Sequence, residues 1–312
     1  MVEDKEIEAK KSPFALREGE IKTFDGKDGY VSMNQIVQKI NLGHINDLHF
    51  AIIELINEFE FMTSRQICQM LDHKGIEYKS QDKLNNKLDQ LIRSKILTRY
   101  YFTSEDGKGI YRIYCLEKMG KYLLTSRGTD CKWQQSDNTK PVAMIKKRLA
   151  GNQVIIAYLN KVKAFDEYTV KPSLTAKTLG KTFRASGGGV KLTKNSKSIN
   201  FVFEVIRRES DWQKKLVDKM KMYKDFYENF VPMDSGYTTI PQLIIVCEDE
   251  LHTKEVFKEI VTAGVEISKI KLYFTTDLRQ IEENLGKTLL EFKLDEASKK
   301  YKVEDVELKL LD

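Results

Sequence analysis

Long apolar runs are missing. No stretch approaches the roughly 18 consecutive apolar residues of a membrane span, and the opening MVEDKEIEAKK has no apolar core of the signal-peptide kind, so a cytoplasmic protein with no membrane partner is expected. Cysteine is scarce. Cys68, Cys115, Cys131 and Cys247 lie far apart, form no Cys-x-x-Cys pair and have no histidine at metal-ligand spacing, which argues for buried thiols rather than a zinc module or a disulfide framework. The histidines, His44, His49, His73 and His252, are scattered and compose no metal or nucleophile set. Proline is sparse, and neither a low-complexity tract nor a solenoid-length repeat is present, so most of the chain should fold. Gly187-Gly188-Gly189 is followed by no Gly-Lys-Ser/Thr opening a helix, so it reads as a flexible turn rather than a phosphate-cradling loop. Trp133 and Trp212 read as packing anchors.

What is present is enough chain for two cores. Single cores stop growing near about 250–300 residues, so the 312 residues predict two domains. The net charge of +6 decides little, but its distribution does: from Tyr168 to Phe203 the chain carries Lys171, Lys177, Lys181, Arg184, Lys191, Lys194 and Lys197 and no Asp or Glu. Thr125–Lys140 is polar, lacks periodicity and stops before Pro141, as an interdomain linker should. The expected division is a charged, partly ordered arm over 1–46, one module over 47–124, the linker over 125–140, a second module over 141–276 and a charged extension over 277–312.

In DLHFAIIELINEF, Leu48, Ile52, Leu55 and Phe59 fall on one helical stripe that Ile53 and Ile56 widen, predicting a helix over Asp47–Phe59. Thr63 stands three residues before Gln66, the capping-box spacing, so a short second helix opens near Ser64. Ser80 can cap a third helix whose Leu84, Leu88, Leu91 and Ile92 point inward. Its outer face then carries Gln81, Lys83, Asn85, Asn86, Lys87, Gln90 and Arg93, donors and acceptors suited to base edges and phosphates in a major groove. ILTRYYF and IYRIYC, joined through Ser104-Glu105-Asp106-Gly107-Lys108-Gly109, predict a hairpin. Helix, short helix, polar helix, hairpin and a closing helix over Glu117–Leu124 is the order of a winged helix-turn-helix. Double-stranded DNA is therefore the expected partner, with Thr63, Arg65 and Lys108 joining the outer face of the third helix as contacts. Over 47–124, 12 basic residues nearly cancel 11 acidic ones, so tight binding needs phosphate contacts from elsewhere or a homodimer.

Beyond Pro141 the pattern reads as a helix over Met144–Val162, strands at Tyr168–Val170, Gly189–Thr193 and Ile199–Ile206, a helix over Asp211–Phe230, a strand at 240–248, a helix over His252–Ala263 and a strand at 269–275. That succession predicts a mixed sheet flanked by helices, an α/β fold overall. Its order resembles the restriction-endonuclease-like fold. Joined to a winged helix, it resembles the replication-relaxation family of plasmids and other mobile elements over about residues 47–275, through FMTSRQICQML, IYRIYCLEKMGKYLL, FVFEVIRRESDWQKKLVDKMKMYKDFY and PQLIIVCED. The resemblance implies a nuclease-like core whose active members hold divalent metal on an Asp and an Asp or Glu, with a Lys two positions on. Glu204 stands where the second acid belongs, but Ile206 replaces the Lys and Gly187-Gly188-Gly189-Val190 occupies the first acid's neighbourhood. An inactive domain that keeps its basic surface is expected, with Arg184, Lys191, Lys194, Lys197, Arg207 and Arg208 on phosphates. Lys214, Lys215, Lys219 and Lys221 read either as further contacts or as a solvated face, and Glu204 can pair with Arg207 or Arg208.

The functional expectation is a non-enzymatic, cofactor-free DNA-binding protein of a plasmid, integrative element or phage. It would act in replication, transfer or regulation as a homodimer, with relaxase or replication proteins as further partners. Two alternatives stand beside it: a Mg- or Mn-dependent nuclease using Glu204, and an adaptor that docks only proteins.

Overall fold

A computed structural model describes residues 11–105, 111–267, 269–282, 284–295, 300–308 and 310–311. From the N-terminus, β1 (Ile21–Phe24) and α1 (Met33–Asn41) precede α2 (Asp47–Phe59), a two-residue β2 (Met62–Thr63), α3 (Ser64–His73) and α4 (Gln81–Arg93). Then come β3 (Leu97–Thr103), β4 (Arg112–Leu116) and α5 (Lys118–Ser126). Ser32, Thr63 and Ser80 open α1, α3 and α4 by accepting a backbone N–H that has no intrahelical partner. β3 and β4 pair antiparallel, β1 extends the ribbon beside β3, and β2 pairs with β4.

The remainder is α/β. It runs through α6 (Val142–Lys161), β5 (Phe165–Thr169), a separate hairpin of β6 (Ser173–Ala176) and β7 (Lys181–Arg184), β8 (Gly189–Lys194), β9 (Lys197–Val205) and α7 (Trp212–Glu228). It continues with β10 (Gln242–Cys247), α8 (Glu250–Thr262), β11 (Leu272–Thr276), α9 (Asp277–Glu282), β12 (Leu289–Asp295) and β13 (Lys300–Val306). One mixed sheet has the order β13-β12-β11-β10-β9-β8-β5. β9, β10 and β11 are parallel neighbours and the outer pairs are antiparallel. The parallel strands carry continuous buried runs such as Leu243–Cys247 because helices cover both faces.

α6 joins the two halves. From Leu149 to Leu159 every residue of it is buried, the signature of a helix enclosed on all sides. Gln66 Nε2 donates to the Leu149 carbonyl at 2.8 Å, and Asn152 Nδ2 donates to the carbonyls of Phe59 at 3.1 Å and Phe61 at 2.8 Å. Phe61, Phe102 and Ile113 share a core cluster with Leu149, Phe203 and Ile244.

The segments expected before, between and after the two modules are packed. The 125–140 stretch is fastened rather than loose: Asn138 Nδ2 donates to the Leu116 carbonyl at 2.8 Å and Trp133 Nε1 donates to Asn138 Oδ1 at 3.2 Å. The described part of the arm is a strap, with β1 on β3, Phe14 buried and Glu20 paired with the buried Lys146 at 2.6 Å. The stretch over 277–312, expected as a charged extension, includes β12 and β13 of the sheet. The glycine triplet is not a flexible turn. All three glycines are buried, and a Cβ at Gly187 would meet Phe203 O at 2.9 Å and Val205 Cγ2 at 2.7 Å.

Candidate nucleic-acid interface

α4 is amphipathic because its leucines recur at helical spacing: Leu84, Leu88, Leu91 and Ile92 are buried. On the opposite face Gln81, Lys83, Asn86, Gln90 and Arg93 are exposed, with Asn85 and Lys87 half-buried. Not all of these groups are free. Gln81 accepts from the Cys68 thiol at 2.8 Å and donates to Asn85 Oδ1 at 3.2 Å, while Gln90 Oε1 lies 2.9 Å from His49 Nε2. Burial and then Lys87 hold the His49 imidazole below its ordinary pKa, against the raising effect of the Gln90 bond. Thr63 is engaged as the cap of α3, whereas Arg65, two residues on, is exposed. Among the described residues Lys83, Asn86, Lys87, Arg93 and Arg65 form no ion pair or hydrogen bond through their side chains. Lys108 lies outside the described residues.

At the end of β9, Glu204 is 1% exposed. Its carboxylate accepts from Ser186 Oγ at 2.7 Å, from the Ser186 N–H at 3.3 Å and from Tyr223 Oη at 2.8 Å. Burial and then Glu204 push the Tyr223 phenol far above its ordinary range, so it stays protonated as a donor. Two ammonium groups flank the acid, Lys147 of α6 at 4.0 Å and Lys219 of α7 at 3.8 Å. Lys219 also donates to the Arg184 carbonyl and lies 4.9 Å from the Phe183 ring centre. Glu204 therefore pairs with neither Arg207 nor Arg208. Ser186, beside the glycines, bonds the acid, Ile206 carries no charge, and the cations near Glu204 come from two helices. Among the described residues no three His, Cys, Asp or Glu side chains gather as a metal would require.

A model of the replication-relaxation family matches residues 53–240. The chain belongs to the replication-relaxation family. The matched span covers most of α2, the α4 face, the glycine triplet and Glu204, and ends before β10. Membership associates the chain with replication or relaxation of mobile elements. No curated protein and no solved structure matches it.

The acid-free block of this replication-relaxation protein is less bare in space than in sequence. Lys171 meets Glu60 at 2.6 Å, Lys177 meets Asp234 at 2.9 Å, Lys181 meets Asp225 at 2.7 Å and Lys191 meets Asp166 at 3.0 Å. Burial alone would raise the Glu60 carboxyl, but Arg148, Lys171 and Lys140 outweigh it and hold the acid below its ordinary pKa. Arg207 is a correction: it is buried and salt-bridged to Asp277 at 2.7 Å, so no phosphate can reach it. Arg208 is half-buried among Glu248, Asp249 and Glu255, at 3.5, 2.5 and 3.1 Å. Arg184, Lys194 and Lys197 are exposed and make no side-chain ion pair among the described residues. Lys194 and Lys197 face each other across the β8–β9 tip, where Asn195 and Ser196 take φ of 52° and 61°. Successive positive φ values give the tight turn suited to twisted strands, and like charges placed opposite each other cost stability.

Proposed function

We propose that this chain is a non-enzymatic DNA-binding protein of a mobile element, with α2 to β4 acting as a winged helix-turn-helix. The observation that carries the reading is the outer face of α4. A buried leucine stripe fixes the helix, and Lys83, Asn86, Lys87 and Arg93 stand on the other side with unengaged donors and acceptors. In this reading α4 lies in the major groove of double-stranded DNA, and Arg184, Lys194 and Lys197 neutralise flanking phosphates. The near-neutral charge of the first module favours a cytoplasmic homodimer on two half-sites, which adds phosphate contacts without altering α4. Relaxase or replication proteins are the further partners. Glu204 acts as a structural carboxylate rather than a ligand for Mg or Mn, since donors already surround it.

Electrophoretic mobility shift on DNA from the protein's own element tests the proposal. Intact protein shifts the fragment at low salt, and joint Lys83→Ala and Lys87→Ala weakens binding and lowers the salt dependence by about one phosphate per lysine in contact. Absence of any shift with intact protein overturns it. Full biological activity in the double variant would instead favour the adaptor.

A further inference from the structure

A cavity of about 440 Å³ opens between α6, α7 and the end of β9, beside Glu204. Most of its cations already have an acid beside them, Glu60 being shared by Arg148 with Lys140 and Lys171. Arg148 is held by Glu60 at 3.0 Å, Arg207 by Asp277 at 2.7 Å and Lys215 by Glu209 at 2.8 Å. What remains is two ammonium groups, Lys147 and Lys219, sharing the single carboxylate of Glu204 at 4.0 and 3.8 Å. These separations are longer than hydrogen bonds, so N–H donors are left over at the wall. The lysine side chains are only 27% and 21% exposed, which raises the strength of any charge–charge contact they make. Around Glu204 two ammonium groups meet one carboxylate, so one positive charge is left there, which one monoanionic group neutralises.

Apart from Ser186, which bonds Glu204, the rest of the wall is apolar: Met144, Ile206, Trp212 and Leu216. Met144 is 51% exposed at the rim. A volume of this size is in the range of small-ligand sites, larger than a duplex backbone needs, because duplex phosphates can be met on a convex surface such as the β8–β9 tip. A monoanion joined to a flat apolar body fits both parts of the wall, and base faces against apolar side chains are the general means of holding unpaired strands.

We propose that this cavity holds one nucleotide of a single nucleic-acid strand, its phosphodiester between Lys147 and Lys219 and its unpaired base along Met144 and Trp212. The strand is gripped and not cleaved. Such a site would let the protein hold opened DNA while α4 holds duplex, and it does not depend on the role given to α4.

The test is fluorescence anisotropy of the full chain with a labelled oligothymidylate and, separately, with duplex from the parent element. Lys147→Gln leaves Lys219 and Glu204 as a neutral pair, and Met144→Glu puts a negative charge on an exposed rim position where folding is not at stake. Each is expected to lower oligothymidylate affinity about tenfold and leave duplex affinity unchanged, and Lys147→Gln also to lower the salt slope by about 0.7, the value of one single-strand phosphate. Lys147→Arg retains binding. Unchanged oligothymidylate affinity in Met144→Glu, or wild-type protein that binds duplex but no single strand, overturns the inference while leaving the role of α4 standing. Binding of single strand without duplex does the reverse.

Discussion

Gly151 lies inside α6, where glycine costs about 1 kcal/mol relative to alanine, so on propensity alone Gly151→Ala should stabilise the protein. The structure predicts the opposite. A Cβ there would lie 2.8 Å from Gly187 Cα and 3.2 Å from both Gly187 C and Ser186 O. All three atoms are backbone, so no side-chain rotation relieves the contact, and Gly187 cannot retreat because it already abuts Phe203 and Val205. Overpacking of this kind costs about 1–3 kcal/mol. With no route of relaxation the upper part of that range applies, and after subtracting the helix gain the net loss is about 1–2 kcal/mol. Urea denaturation should show a lower midpoint at unchanged slope. Since the displaced segment carries Ser186, whose hydroxyl and N–H both bond Glu204, oligothymidylate binding should weaken as well. A midpoint at or above that of the wild type would refute the reasoning, because propensity would then be acting unopposed.

Three further outcomes follow from buried or strained charge. Arg207→Ala leaves Asp277 buried without its partner and should cost about 3–5 kcal/mol, whereas the half-exposed Arg208→Ala should cost well under half of that; equal losses in urea denaturation would contradict the assignment. His252 is buried, and burial first, then Arg208 and Arg207, push its pKa from 6.5 down to about 3. The unfolded chain therefore binds more protons between those values, so stability is complete above pH 6.5 and falls as pH drops through the window, by at most about 1.4 kcal/mol per unit. His252→Gln should flatten that fall, and identical pH slopes for the two proteins would remove His252 as its source. Lys194→Ala with Lys197→Ala relieves a like-charge pair, so it should leave thermal stability equal or slightly raised while reducing duplex affinity and its salt dependence; duplex binding unaffected at low salt would exclude the tip as a phosphate contact.

The helices were legible because their signal is local. The stripe of Leu48, Ile52, Leu55 and Phe59 and the caps at Thr63 and Ser80 sit within a few residues of the backbone they control, and α2 spans Asp47–Phe59 as its periodicity predicts. The centre of the mixed α/β sheet was legible for the same reason, since β10 carries the continuous apolar run Leu243–Cys247. The cations were a different matter. A block without acids looks bare only if neighbours in sequence are neighbours in space, yet Lys171 finds Glu60 and Lys181 finds Asp225, at separations of 111 and 44 residues. Nothing within the block encodes those partners. The same blindness hid the useful charges: Lys147 and Lys219 come to Glu204 from two different helices, and the motif position at 206 could not announce them. One signal was available. Gly151 in an otherwise enclosed helix and the Gly187-Gly188-Gly189 run are each costly in isolation, and two such costs in one fold suggest a shared close approach of backbones. Here that approach is what sets Ser186 against Glu204, so the residues that looked like flexibility are the ones that fix the cavity wall.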